Sequence, residues 1–388
     1  MGHKFSRDAK NLIGSPMFKM LARVQELEKA GKNIIHFEIG DPDFNTPEHI
    51  TQAAVDAIKR GETHYANSLG VVQLRQEICN TTHKDLGWLP ELNQIVVAPS
   101  ISFIYFVIRA LMNPGEEVMV SDPGYSSYFS AFDFVGVRAV TVPTFEKNNF
   151  RLKAIDLEKF ITPKTRLLII NSPQNPTGAM MNAEDLTIIY KLSKKHNFYI
   201  LSDEVYGKMT YDKPHKSISI HDQCKEKVIL LNGFSKTYAM TGWRLGYAIA
   251  PKEIVEKLGL IIQTVISNVP PFIQWAGIAA INGDQSSIKA MMEEYRKRRK
   301  IVVNGFNELP RISCIMPDGA FYAFPNISKT GLTSKEFAEV MLEKAGVALL
   351  PGTDFGPHGE GYVRVAFATS LDNIREGLRR MEKVLKAL

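Results

Sequence analysis

Along most of the chain, short apolar and β-branched runs alternate with stretches whose apolar positions recur at helical spacing. Strands are expected over residues 94–98, 117–121, 138–142, 166–170, 199–202, 228–231 and 246–250. Residues 47–60 read as a helix with Thr46 as N-cap, Pro47 in the first turn and Gly61 as the terminating glycine. The preceding residues 40–44, Gly-Asp-Pro-Asp-Phe, then form a loop. Strands alternating with amphipathic helices are the pattern of a wound α/β sheet. After Gly283-Asp284 the texture changes to long charged helices near 288–307, 334–345 and 371–388, with short strands at 320–324 and 362–366. The expectation is a large domain over 46–283, holding a wound, mostly parallel seven-stranded sheet. A smaller α+β domain is expected from 1–45 together with 284–388. No repeat of 20–50 residues interrupts this plan.

Composition narrows the function. The 388 residues are 45% hydrophobic and 23% charged, enough for a sizeable core. The most apolar stretch, Phe103 to Ile108, ends at Arg109, well short of a membrane span. The 47 basic and 41 acidic residues leave a charge of +6 that is mostly dispersed, so a nucleic-acid partner is not expected. The one dense run, Arg296 to Lys300, continues a helical pattern from Met291 and reads as a solvated helix face. Cys79, Cys224 and Cys314 are odd in number and lack metal-site spacing, which suits a reducing compartment such as the cytoplasm. The N-terminal residues lack the apolar core of a secretion signal; Ser6 after Gly2 is only a formal match to a myristoylation motif.

In wound sheets ligands lie beyond the carboxyl ends of the strands. There the chain carries Asn171-Ser-Pro-Gln-Asn175-Pro176-Thr-Gly178, then Asp203-Glu204-Val205-Tyr206, then Asn232-Gly233-Phe234-Ser235-Lys236. Each alone reads as a turn, a strand-end acid or a surface lysine. Together, an amide, a carboxylate, a phenol and a lysine at neighbouring strand ends suit a pyridinium cofactor held as a lysine imine. Asp41-Pro42-Asp43 invites a metal reading, but no further ligand joins it at ligand spacing and a capping turn is the simpler account. His64, His196, His221 and His358 have no partner legible in the sequence.

The segment from Gly233 through Lys236 to Arg244 and Gly246 resembles the pyridoxal-phosphate attachment motif of class I/II, fold-type I aminotransferases, and is closest in pattern to the aspartate/aromatic subgroup. The Asn175-Pro176 and Asp203–Tyr206 segments resemble the same family in the same order, and the likeness runs from the Gly40 loop to Arg364. The resemblance implies pyridoxal 5′-phosphate as cofactor. Lys236 would form the internal Schiff base and shuttle a proton. Asp203 would pair with the pyridine nitrogen, Asn175 and Tyr206 would hold the ring oxygen, and Tyr125 would stack on the ring. Arg244, Ser235 and the backbone amides of Ser100 and Ile101 would hold the phosphate. Arg364 would grip the substrate carboxylate, with Asn175 beside it and Gly40 closing over it.

Tyr65 matches a tyrosine that relatives contribute to the neighbouring subunit's phosphate, which implies a homodimer with shared sites; on residue type alone it reads as a core aromatic. Two departures stand out. Pro99-Ser100-Ile101 replaces a glycine-containing turn, and Gly233 stands where many relatives have serine. Near the distal end of the substrate, Met17 and Ile101 are apolar and cannot compensate a second carboxylate. A neutral or aromatic amino acid and a 2-oxo acid are therefore the expected substrates of a ping-pong transamination. The alternatives are a lyase or synthase on the same fold, such as β-elimination of a sulfur amino acid, and a transcription regulator with an aminotransferase-like domain. The roughly forty residues before Gly40 are too few for a DNA-binding domain, and Lys236, Asp203 and Arg364 are retained.

Overall fold

Residues 4, 5, 9, 14 and 16–388 are described in the computed structural model. The helix Pro16–Lys29 leads into a two-residue strand, β1 (Ile35–His36). One sheet then collects β2 (Ile95–Ala98), β3 (Glu117–Asp122), β4 (Arg138–Pro143), β5 (Thr165–Asn171), β6 (Tyr199–Asp203), β7 (Val228–Gly233) and β8 (Gly246–Ile249). Their order is β2-β8-β7-β6-β5-β3-β4, and only β8 runs antiparallel to its neighbours.

The two-residue period of the strands fills both faces. Ile95 and Val97 of β2 and Leu168 and Ile170 of β5 enter one core, with residues from the helices Glu48–Lys59, Val72–Leu86, Ala183–His196 and Pro271–Asn282. Val96, Ala98, Leu167 and Ile169 enter the opposite core, under the helices Ser100–Leu111, Ser126–Val135 and Lys252–Val265. Covering on both faces explains why these strands read as continuous apolar runs. The carboxyl edge, where β5, β6 and β7 end, is left for chemistry.

The C-terminal part packs β9 (Tyr322–Ala323), β10 (Val347–Ala348), β11 (Leu350–Pro351) and β12 (Val363–Ala366) against the helices Ser286–Glu308, Ser334–Val340 and Leu371–Lys386. Here β11-β12-β9 form an antiparallel sheet, and β1 pairs in parallel with β10. The Phe37 carbonyl accepts from the Ala366 N–H at 2.8 Å, so the chain entering Gly40 runs beside β12, the strand that carries Arg364.

Three local expectations are corrected. Thr46 does not cap the helix Glu48–Lys59; its hydroxyl donates to the Ala239 carbonyl at 2.6 Å and accepts from Trp243 Nε1 at 3.0 Å, tying the helix start to the lysine turn. The helix expected over 334–345 is α-helical only to Val340 and continues as a π-type turn, Met341–Ala345. The basic run is not a wholly solvated face, because Arg298 and Arg299 are buried. Arg298 pairs with Asp43 at 2.7 Å and Arg299 with Asp212 at 2.7 Å, which offsets the cost of burying the charges. Asp43 is thus an ion-pair partner, while Asp41 accepts from the Thr241 hydroxyl at 2.7 Å. Among the described residues no helix is long and apolar enough to cross a membrane.

Candidate active site

Strand register assembles the first part of the site. Asn171 at the end of β5 lies opposite Asp203 at the end of β6. The Asn171 amide donates to the Asp203 carbonyl at 3.1 Å, and its oxygen accepts from the Asn175 N–H at 2.8 Å, so one side chain sets the turn that carries Asn175. The Asn175–Pro176 bond is cis. Asp203 is buried; its carboxylate accepts from the Tyr128 hydroxyl at 2.6 Å and from the Val205 N–H at 3.3 Å. Burial pushes its pKa up to about 6, against the pull of those hydrogen bonds. Tyr206 and Tyr322 share a hydrogen bond between hydroxyls at 2.9 Å.

Lys236 follows β7 and is half-buried. Its ammonium donates to the Gly40 carbonyl at 2.6 Å and lies 5.6 Å from the Phe321 ring centroid. Burial lowers its pKa to about 8; Asp41 opposes the shift, while Arg364 and Arg244 add to it. Gly40 must be glycine, since a Cβ there would run into the Tyr322 hydroxyl. Arg364 is only 2% exposed. It donates to Asn175 Oδ1 at 3.3 Å and to the Glu38 carbonyl, and its guanidinium lies 4.7 Å from the Tyr322 ring centroid and 5.1 Å from that of Phe355. Among the described residues its Nε has no partner and it forms no ion pair. A buried guanidinium held only by neutral oxygens retains the charge to receive a carboxylate.

The glycines beside Ser100 explain the unusual turn. The helix Ser100–Leu111 starts directly after Pro99, so the N–H groups of its first residues have no carbonyl partner one turn earlier in the helix. The Ser100 hydroxyl donates to the Asn232 carbonyl at 3.3 Å. It occupies the space that a Cβ on either Gly233 or Gly246 would need, and those two glycines face each other across β7 and β8. Ser100 therefore requires glycine at 233. Arg244 is exposed, with φ of 55° and a bond from its guanidinium to the Thr241 carbonyl at 2.6 Å. Ser235 is half-buried, as is Tyr125, whose ring meets that of Tyr128 edge-on at 5.4 Å.

Contacts thus link Lys236 to Gly40 and Arg364 to Asn175 directly; Arg364 also holds the carbonyl of Glu38, two residues before Gly40, and Asp203 joins Asn175 through Asn171. Tyr206 joins them through Tyr322. Tyr65 is not brought to this cluster: it is 90% exposed, which overturns its reading as a core aromatic. Met17 packs on the apolar cluster containing Phe150, Phe324 and Phe355, and Ile101 is partly exposed at the start of its helix. The sequence reading missed Tyr128, Tyr322, Glu38 and Phe355. Tyr128 had a legible signal, lying three residues past Tyr125 in the first turn of the helix that Tyr125 precedes; the others come from distant segments.

A lysine with a lowered pKa, a buried acid and an unpaired buried arginine at the carboxyl edge of a wound sheet define an enzyme site that handles amines and carboxylates. Residues 32–381 match the family model for aminotransferase class I and II. The chain is 41% identical to aromatic-amino-acid aminotransferase 2 of Thermococcus litoralis over 372 residues, covering 94% of this chain and 95% of the relative. It is 42% identical to the aspartate aminotransferase of Pyrococcus abyssi over 362 residues, covering 92% of each. The solved aspartate aminotransferase of Thermus thermophilus with maleate superposes with a TM-score of 0.95 at 32% identity, covering 99% of this chain and 100% of that one. The chain belongs to the class I and II aminotransferases. It is a fold-type I enzyme that transfers amino groups, and the lyase and regulator alternatives gain no support.

Proposed function

We propose that the chain binds pyridoxal 5′-phosphate through Lys236 and moves the amino group of an L-amino acid with a neutral or aromatic side chain to a 2-oxo acid. The observation that carries the reading is Arg364, buried and, among the described residues, unpaired by a carboxylate, held by the carbonyl of Glu38 two residues before the Gly40 carbonyl that holds the lysine amine. The residues fit the cofactor. Asp203 is a buried carboxyl whose pKa burial raises to about 6, and a pyridinium N–H beside it would favour the ionised form. Ser100, seated between Gly233 and Gly246 at a helix start, would offer its backbone amide to a phosphate together with that of Ile101. Ser235 and Arg244 complete that end, and Asn175 and Tyr206 would hold the ring oxygen while Tyr125 covers the ring.

When bound, the cofactor supplies a protonated pyridine ring that draws electrons from the substrate Cα. Lys236 takes and returns the proton at that carbon through Nζ, which burial has brought toward neutrality. Arg364 and Asn175 orient the substrate carboxylate, and Gly40 lets the backbone close on it. Met17 and Ile101 place no charge near the distal end, which favours an uncharged side chain there. We read the assembly as a homodimer in which the exposed Tyr65 serves the partner's site. Three buried free thiols fit a reducing cytoplasm.

Visible absorption tests this reading. A long-wavelength imine band should bleach with phenylalanine or another neutral amino donor and return with a 2-oxo acid, and Lys236→Ala should lack the band. Equal turnover of aspartate and phenylalanine would overturn the substrate assignment, and relatives bearing both names make that comparison decisive.

A further inference from the structure

Outside the residues assigned above, Asp122 and His358 form a pair whose position suggests work. Asp122 ends β3 and is fully buried. Its Oδ1 accepts from the His358 N–H at 3.1 Å and its Oδ2 pairs with His358 Nδ1 at 2.8 Å. The two residues are 236 positions apart, so the pair joins the sheet edge to the loop after β11. That junction is closely fitted. The Gly124 N–H donates to the Phe355 carbonyl at 2.7 Å, and Gly356 has φ of +126° with no room for a Cβ beside the Asp122 carboxylate.

Both ends lead into the site. From Asp122 the turn runs through Pro123 and Gly124 to Tyr125. Its other side is held by Gln174, the neighbour of Asn175, whose amide donates to the Pro123 carbonyl at 3.0 Å and the Ser121 hydroxyl at 2.7 Å. From His358 the loop runs back through Gly356 to Phe355, whose ring lies under the Arg364 guanidinium. We infer that Asp122 and His358 are positioning residues for the substrate carboxylate, clamping the Phe355 floor of Arg364 in register with the turn that carries Tyr125 and Asn175. This inference rests on the proposed role of Arg364. Among the described residues His358 contacts Asp122 and Phe145 rather than the guanidinium or the lysine; it acts through the Phe355 loop. With the imidazole gone, the buried Asp122 carboxylate keeps only one donor, and the loop must open to hydrate it.

The test uses the cofactor-loaded enzyme and the variants His358→Ala, His358→Asn and the double variant Asp122→Ala/His358→Ala. His358 is partly exposed, so its replacement spares the core. The readouts are KM and kcat for the amino donor, the dissociation constant of 3-phenylpropanoate as a bare carboxylate probe, and that of pyridoxal phosphate. The expected result for His358→Ala is about a ten-fold rise in KM and in the probe constant, with kcat within about two-fold and cofactor affinity unchanged. His358→Asn, whose amide can still donate to Asp122, should recover most of the loss. The double variant should stay impaired, because the clamp is absent. A double variant restored to wild-type values would show that only the orphaned carboxylate does harm, and would overturn the inference. So would a KM and probe constant unmoved in His358→Ala. Failure of the transaminase reading would show instead in the wild type, as absent turnover, and the probe constants would then still decide the clamp.

Discussion

At the scale of single residues, Lys236 is a charge held where charge is disfavoured. Its pKa falls from 10.5 to about 8 because burial penalises the ammonium more than Asp41 supports it. The sign follows from proton counting. Between about pH 8 and pH 10.5 the unfolded chain binds the proton and the folded chain does not, so stability rises with pH through that window. The contribution is fully present above 10.5 and lost as pH falls through 8. The lowering corresponds to about 3 kcal/mol at most, since one pH unit is about 1.4 kcal/mol. Cofactor-free Lys236→Met is therefore expected to be more stable than the cofactor-free parent at pH 7, by about 1–3 kcal/mol in urea unfolding. The gain should vanish when the titration is repeated near pH 10.5. A variant less stable at pH 7 would mean that the bond to the Gly40 carbonyl outweighs the desolvation. The instability fits the proposed role of Lys236, which a lowered pKa serves.

At the scale of elements, β1 shows how a two-residue strand is held well enough to aim Gly40. His36 pairs with Glu38 at 2.8 Å and Glu28 at 3.1 Å, and its pKa rises from 6.5 to about 9, chiefly through the hydrogen bond with the buried Glu38. A raised folded pKa gives stability that is complete below 6.5 and lost as pH climbs through 9. Discounted for the half-exposed ring, the pair contributes about 1–2 kcal/mol. His36→Gln should lower the unfolding free energy by about that much at pH 6 and match the parent at pH 10. Equal stability at both values would assign the brace to the β1–β10 pairing alone. The elements themselves were largely legible, because strands covered on both faces write a continuous apolar run that needs no knowledge of partners. The residues at their carboxyl ends were legible for the same reason: strand ends identify themselves, and neighbouring ends share an edge. What stayed hidden depends on distant partners. Arg298 looked solvated because Asp43, which buries it, lies 255 positions away, and His358 looked idle because Asp122 lies 236 away. Thr46 failed as a cap because its hydroxyl is engaged with the lysine turn, a tertiary contact overriding a local preference. Ser100 and Gly233 each read as a departure, and only the packing reveals one as the condition of the other.

At the scale of the whole molecule, the proposed cofactor end uses Ser100, Ser235 and Arg244 of one chain, whereas Tyr65 is 90% exposed. In the proposed homodimer this exposed ring would be covered by a second copy, whose cofactor would receive its hydroxyl. The proposed arrangement would make each site a composite of two chains, and so predicts complementation. A Lys236→Ala chain has no lysine of its own but still presents Tyr65 to its partner; a Tyr65→Ala chain has its lysine but leaves the partner's phosphate short of a donor. In a hybrid of the two, one site combines an intact Lys236 with an intact Tyr65, and the other lacks both. Purified Lys236→Ala should be inactive, and Tyr65→Ala should bind pyridoxal phosphate about ten-fold more weakly, in line with a charge-assisted hydrogen bond worth about 1.5 kcal/mol. The hybrid, isolated with two different affinity tags, should regain about half the wild-type turnover per dimer and a single wild-type cofactor affinity at one of its two sites. Should Tyr65 act within its own chain, the hybrid's one lysine-bearing site would still lack the tyrosine and would bind cofactor as weakly as the Tyr65→Ala parent. The cofactor titration thus separates a shared site from a self-contained one, whatever the substrate proves to be.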